Sequence, residues 1–280
     1  MAIEWYPGHM VTARKDAAEA MRTTDVVIEV LDARVPFSSC NPLVERLRLK
    51  LDRPALKVIN KADIADPKLT DAWLAYYNAI PGTRAIAISA KKAGDVQRIP
   101  KECLQLSPTR NTALKPLRMM ILGIPNAGKS TLMNTLLKRN ISKVGDEPAI
   151  TKMHHKHELS KSMWLTDTPG MLWPGVAQPS ALRLAIANAI GRNAYDEEEV
   201  ARGLVEILSE RYPTLLEKRY GKLEGDLIEA IARRRSFVIK GGAFDLQKAG
   251  LALLTDFRSG VLGRITLDDP KTAIPTPLDE

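Results

Sequence analysis

Apolar residues along this 280-residue chain fall into two textures. In residues 1–175, short continuous apolar runs alternate with segments whose apolar positions recur every three or four. A short apolar run bounded by polar loops reads as a buried strand, and i, i+3, i+4, i+7 spacing as an amphipathic helix. Strands are therefore expected at residues 25–31 (Asp-Val-Val-Ile-Glu-Val-Leu), 55–59, 85–88, 117–122 and 162–166. Helices are expected at 42–51, with Leu43, Val44, Leu47 and Leu51 on one face, at 68–77 and at 129–137. Pro81-Gly82 marks a turn, and residues 108–115 a polar linker. Strand–helix alternation predicts a mostly parallel α/β sheet.

After Gly175 the pattern turns helical. Ser180 is placed to cap a helix ending near Gly191. Asp196 opens another, with acids in its first turn and Val200, Leu204, Ile207 and Leu208 on one face; Pro213 is expected to end it. Residues 226–235 and 245–257 supply two more, the second closed by Gly260. The expected architecture is an α/β domain over residues 1–175 and a small all-helical domain over 176–280, sizes within the usual range for domains. The helical half carries no constellation resembling a catalytic centre.

The chemistry sits at the ends of the expected strands. Gly123-Ile-Pro-Asn126-Ala127-Gly128-Lys129-Ser130-Thr131 lies between an apolar strand and a helix. Glycines in such a loop let backbone N–H groups point at phosphates, and the following helix presents its positive end. Lys129 is expected at the β- and γ-phosphates and Ser130 on Mg²⁺, with Thr131 beside them. Asp167-Thr168-Pro169-Gly170 follows another strand. There the Asp167 carboxylate would hold Mg²⁺ through water and the Gly170 N–H would sense the γ-phosphate. Asn60-Lys61-Ala62-Asp63 supplies base choice. A carboxylate at Asp63 accepts from both N1–H and the exocyclic amine of guanine, which adenine cannot match. Lys61 is expected over the base plane, and Ser89-Ala90-Lys91 to offer a backbone N–H to the guanine oxygen. Thr151, between the phosphate loop and Asp167, is the best candidate for a switch threonine closing over Mg²⁺; a surface-loop threonine is the alternative.

Each short motif is weak alone; together they specify a GTP site. Their order is rotated. The guanine-reading segment comes first and the phosphate loop and Asp167 motif last, the reverse of an ordinary small GTPase. This points to a circularly permuted P-loop GTPase domain.

Composition narrows the setting. Apolar content of 45% and charged content of 26% are ordinary for a globular protein. No apolar run approaches the ~20 residues that cross a bilayer, and the N-terminal residues do not read as a signal peptide. Cys40 and Cys103 form no metal or redox spacing, which suits a cytoplasmic location. The net charge is +8, with 26 Lys/Arg against 17 Asp/Glu in residues 1–175 and 15 against 16 thereafter. A basic protein of this kind often meets a polyanion. The candidate contacts are Arg211, Lys218, Arg219, Lys222 and Arg233-Arg234-Arg235, with a solvated helix face as the alternative reading.

These motifs, in this order, resemble the bacterial ribosome biogenesis GTPase A family, the YlqF-related circularly permuted GTPases. Trp5-Tyr6-Pro7-Gly8-His9-Met10, Asp32-Ala33-Arg34-Val35-Pro36 and Phe257-Arg258-Ser259-Gly260…Leu262-Gly263-Arg264 also look like that family, so the resemblance covers almost the whole chain. It implies a helical C-terminal domain, late maturation of the large ribosomal subunit, binding to its rRNA, and GTP hydrolysis stimulated by the particle. One departure is visible. The switch segment of the family usually reads Pro-Gly-x-Thr and here reads Pro148-Ala149-Ile150-Thr151, so it is expected to move differently.

Many GTPases place a glutamine after the Asp-x-x-Gly motif to orient the attacking water. Here Met171 and Leu172 follow Gly170. Hydrolysis must recruit help elsewhere or be slow. By resemblance, His9 has a catalytic role, and Asn126 matches a position that helps hold K⁺ in related GTPases. The catalytic set is thus His9, Lys129, Asn126 and Thr151. The leading expectation is a monomeric GTP-hydrolysing assembly factor with no DNA or membrane partner. A nucleotide-dependent RNA-binding placeholder with little turnover is the second reading.

Overall fold

The computed structural model describes residues 8–138 and 155–273. Its sheet is built from β1 (Val26–Asp32), β2 (Ala55–Asn60), β3 (Thr83–Ala87), β4 (Leu117–Gly123), β5 (His155–Ser160) and β6 (Met163–Asp167). The strand order is β3-β2-β1-β4-β6-β5. Every neighbouring pair is parallel except the antiparallel β5–β6 hairpin. The five strands expected from apolar runs all form, with ends shifted by a residue or two. β5 was not expected, because His-Lys-His-Glu-Leu-Ser contains no apolar run. It is the sheet's edge, where polar side chains can remain in water.

Side-chain alternation divides the core. Ile28, Val30, Leu56, Val58, Met119 and Ile121 enter one cluster, with Ile99 and Cys103 of α5 (Ile99–Leu106) and Leu132 and Met133 of α6 (Lys129–Leu137). Their neighbours point the other way. Val27, Met120 and Leu122 meet α1 (Gly8–Arg22) and α2 (Pro42–Lys50), while Leu31 and Ile59 meet α3 (Pro67–Asn78). A short helix, α4 (Ala93–Val96), precedes α5. Two helices start where the sequence supplies both a cap and a proline. Asn41 accepts from Leu43 N at 3.0 Å before Pro42, and Asp66 accepts from Lys68 N at 2.9 Å before Pro67.

The second half comprises α7 (Ser180–Ile186), α8 (Glu197–Arg211), α9 (Pro213–Tyr220), α10 (Leu227–Arg234) and α11 (Leu246–Ser259). α7 stops well before Gly191, because Asn188 takes a left-handed φ of 66°. Pro213 does end α8, but it also stands at the start of α9, where its missing N–H costs nothing. Val200, Leu204 and Leu208 of α8 belong to the same buried apolar cluster as the sheet, as do Leu253 and Leu254 of α11.

Two features stiffen the sheet face under α2 and α3. Glu29 and Lys57 are register partners on β1 and β2, both buried, with Nζ 2.5 Å from Oε2. Lys57 also reaches Glu45 of α2 at 2.9 Å, and Arg48 pairs with Glu45 and donates to Thr83 Oγ1 at 3.0 Å. Burial alone would raise the Glu45 carboxyl, but Lys57 and Arg48 outweigh it and hold it down at about 2. Beyond this cluster Trp73, fully buried, stacks near Phe37 at 6.2 Å and meets Tyr77 at 5.7 Å. Its indole N–H donates to Asp268 O at 3.3 Å. Asp268 in turn accepts from Ser38 N at 2.8 Å and Arg183 at 2.9 Å, so the C-terminal segment is anchored across the sheet ends.

Truncating Trp73→Ala removes this plug and should cost about 3–5 kcal/mol in denaturant unfolding; a loss below ~1 kcal/mol would refute the packing role. The Glu45 carboxyl is depressed on folding, so its contribution is complete above the unfolded value of ~4.3 and is lost as pH falls towards the folded one. The stability gap between wild type and Glu45→Gln should therefore shrink between about pH 5 and pH 2–3 in urea melts.

Candidate nucleotide-binding site

β2, β1 and β4 are adjacent, so the loops leaving them lie side by side. Asn60 ends β2 and is buried. Its amide nitrogen donates to Ala127 O of the phosphate loop at 2.7 Å, and its oxygen accepts from Ala90 N at 2.8 Å. One side chain thereby joins three of the expected motifs. Gly128 lies against it with φ 95°, and a Cβ there would collide with the Asn60 amide. Glycine is required on both counts. Thr135 of α6 adds a tie, donating to Ala90 O at 2.8 Å.

Lys61 takes the left-handed region with φ 64°. Its ammonium donates to Asn126 O at 2.6 Å and to Asp32 Oδ2 at 2.7 Å. Asp32, buried at the end of β1, also receives Arg34 through Nε at 2.9 Å and Nη2 at 2.7 Å. Burial opposes the charge on Asp32, but Arg34 and then Lys61 prevail and hold it well below the usual carboxylate range. Burial lowers Lys61 despite the Asp32 carboxylate. Neither Asp32 nor Arg34 was expected at the site from side-chain chemistry, although their segment stood out.

At the other end, Lys129 and Asp167 are both buried and meet at 2.5 Å. Thr168 donates to Ile121 O at 2.9 Å, and Met171 N to Gly123 O at 3.1 Å, so the segment carrying Gly170 is docked on β4 and the phosphate loop. Ser130 follows Lys129 in the first turn of α6. A hydroxyl and a carboxylate are hard oxygen donors, the set that Mg²⁺ takes alongside phosphate oxygens. The residues therefore fit that ion. No cluster of three or more His, Cys, Asp or Glu that could hold a metal by itself exists among the described residues. The Asn126 amide nitrogen donates to Asn188 O at 2.8 Å.

These loops border a cleft of about 190 Å³. Asn60, Lys61, Asp63, Ser89, Ala90 and Lys91 form one side, and Gly128 and Thr131 another. Arg258 and Ser259, at the end of α11, complete the lining. This last wall was not anticipated; the only signal was the motif 257–264. His9 falls in the first turn of α1, with its side chain outside the described residues, and Thr151 lies outside them altogether.

The expected RNA contacts divide. Arg211 donates to Leu267 O at 2.8 Å. Arg219 and Arg235 both pair with Asp256, at 2.7 and 3.0 Å, and Arg233 with Glu229 at 2.6 Å. Lys222 stands 3.4 Å from Glu224. Lys218 and Arg234 are exposed.

A family model described as 50S ribosome-binding GTPase matches residues 118–233. Ribosome biogenesis GTPase A of Bacillus cereus is 37% identical over 97% of this chain and 95% of its own length. The protein of that name from Thermotoga maritima is 27% identical over 98% of this chain and 97% of its own. Among solved structures, the GDP-bound structure of TM YlqF superposes with a TM-score of 0.68 at 24% identity, covering 91% of this chain and 99% of that one. GNP-bound YlqF from T. maritima gives 0.65 at 25% identity, covering 93% and 99%. Kinship this deep extends through the sheet and the helices beyond it, and makes the chain a GTP-hydrolysing member of the ribosome biogenesis GTPase A family.

Proposed function

We propose that this chain is a GTP-driven assembly factor for the large ribosomal subunit, with residues 1–175 handling nucleotide and residues 176–280 contacting the particle and its rRNA. The observation that carries the reading is the Asn60 amide joining the guanine-reading segment, the phosphate loop and Ala90 around one cleft. The relatives' name and the description of the family model supply the ribosome, and the +8 charge suits a polyanionic partner. A monomer working in the cytoplasm fits this role. No helix among the described residues is long and apolar enough to cross a membrane.

In this reading Asp63 accepts from N1–H and the amine of guanine, Lys61 flanks the base, and Ser89, Ala90 and Lys91 face its oxygen. The backbone of Asn126, Ala127 and Gly128, with the N-terminal end of α6, receives phosphate charge. Lys129 serves the β- and γ-phosphates, and Gly170 senses the γ-phosphate. Ser130, Asp167 and Thr151 hold Mg²⁺, which neutralises charge developing on the phosphoryl oxygens. Met171 and Leu172 are buried among apolar neighbours and cannot orient water. We assign that task to His9, and further charge stabilisation to K⁺ beside Asn126. Those two buried side chains also favour the second reading, a placeholder that binds RNA in its GTP form and turns over little.

Cosedimentation with separated subunits tests the partner. The chain should pellet with large subunits when loaded with a GTP analogue, less so with GDP, and not with small subunits. Equal pelleting with both subunits would sink the assignment. Turnover measured with K⁺ should rise when large subunits are added; binding without any rise identifies the placeholder. Asp63→Asn removes a charged acceptor of two hydrogen bonds. GDP should bind about 100-fold more weakly, at ~1.5 kcal/mol per bond, while xanthosine diphosphate, whose 2-oxo oxygen can accept from the new amide, should gain. Unchanged GDP affinity would place the base elsewhere.

A further inference from the structure

The guanine-reading residue Asp63 sits in a three-residue 3-10 turn, Ala62–Ile64. So short a turn cannot fix a carboxylate to the tolerance that two hydrogen bonds to one base edge demand, roughly 0.5 Å. Support must come from what surrounds it. On the sheet side, Ala62 N donates to Ile88 O at 3.1 Å. On the other side the support comes from the segment that follows α11, some 200 residues away in the chain.

That segment follows the turn residue by residue. Gly260, at φ 80°, lies against Ile64, and a Cβ there would come within 2.5 Å of the Ile64 side chain. Arg264 donates through Nε to Ala65 O at 2.8 Å and through Nη2 to Ala62 O at 2.9 Å. Ile265 N donates to Ile64 O at 3.2 Å. Thr266 is fully buried, and its hydroxyl bridges two elements. It accepts from Asp66 N at 3.1 Å and donates to Ala33 O, just past β1, at 3.0 Å. The carbonyls of Ala62, Ile64 and Ala65 are thus all engaged by residues 264–265. One step upstream, Ser259 and Arg258 line the cleft itself.

We propose that residues 257–268 form a clamp that positions the guanine-reading turn, with Thr266 and Arg264 as positioning residues that act through the Ala62–Asp66 backbone on Asp63. This rests on the GTP-site reading above and assigns the conspicuous motif 257–264 a task within it. Thr266 fixes the turn to the β1 end from below, and Arg264 spans it from outside. Loosening either lets Asp63 drift from the base edge while the phosphate loop stays intact.

Inosine diphosphate separates misplacement of Asp63 from general damage, because its base lacks the exocyclic amine and so depends less on that carboxylate. Dissociation constants for GDP, inosine diphosphate and ADP would be measured on the full chain and on Thr266→Val, Thr266→Ser and Arg264→Ala. Thr266→Val keeps the shape and removes the hydroxyl; Thr266→Ser restores it. The expected result is a roughly tenfold loss of GDP affinity, about 1.4 kcal/mol, in Thr266→Val and Arg264→Ala. Inosine diphosphate should lose less, so that discrimination between the two narrows, and Thr266→Ser should recover both values. Unchanged GDP affinity in Arg264→Ala overturns the clamp, as does an equal loss for both nucleotides. Should Thr266→Val fail to fold, Arg264→Ala, altered only at the surface, decides alone. A wild-type chain that binds ADP as well as GDP removes the guanine site itself, and the clamp with it.

Discussion

The buried carboxamide of Asn60 is the interaction on which the site depends. It spans 67 residues to Ala127 and 30 to Ala90, donating to one and accepting from the other. Such bonds contribute about 1 kcal/mol each in net terms, but a buried amide left without partners costs up to ~3. The side chain therefore acts as a constraint: the three loops either assemble around it together or leave it unsatisfied. Rotating the order of motifs along the chain leaves this constraint untouched, because it requires only that β2 and β4 flank β1 with their ends on one side.

The strand between them supplies the second constraint. Asp32 ends β1 and is buried between Lys61 and Arg34. Taking the charges of Asp32 and Arg34 out of water is costly, and attraction repays the cost only when geometry and further hydrogen bonds are good. Both carboxylate oxygens here accept from guanidinium or ammonium groups. Arg34 has its own remaining partners in the helical half, donating to Arg258 O at 3.1 Å and lying 5.1 Å from the centre of the Phe257 ring. Removing Asp32 would leave both cations without their shared carboxylate. A network of this kind fixes geometry more than it adds stability, and the geometry it fixes belongs to Lys61.

How far the sequence disclosed this follows from the range of each interaction. Strands and nucleotide motifs were legible because an apolar run and the loop that follows it are local, and phosphate or base recognition demands particular residues within a few positions. β5 was missed because an edge strand needs no apolar run. α1 was missed because Met10, Ala17 and Met21, buried among its described side chains, are widely spaced and one is small. Arg258, Ser259 and Thr266 reach the guanine side through contacts spanning about 200 residues, which leave no periodicity to read. The partners of the basic run were illegible for a related reason. A count of charges along the chain does not reveal that Arg219 and Arg235 face Asp256, or that Arg211 is spent on a backbone carbonyl.

The rotated order also decides which parts of the chain meet the helical bundle. The segment leaving Asp167 is pinned by Thr168 and Met171 to β4 and the phosphate loop, and it then runs directly into α7. Asn188, just beyond α7, accepts from the phosphate-loop side chain of Asn126. The far end of the bundle returns past Arg258 to the guanine-reading turn. The helical half thus touches the phosphate loop through Asn188, just past its first helix, and lines the base end of the cleft with Arg258 and Ser259 at the end of its last. A body attached at both ends cannot shift without altering at least one of them. By linkage, whatever binds the bundle and prefers one position must change nucleotide affinity by the same factor that nucleotide changes its own. Ordinary motif order joins the phosphate-sensing segment to the next strand of the sheet. Here permutation joins it to the helical half, so the covalent connection and the long-range contacts involve the same part of the chain.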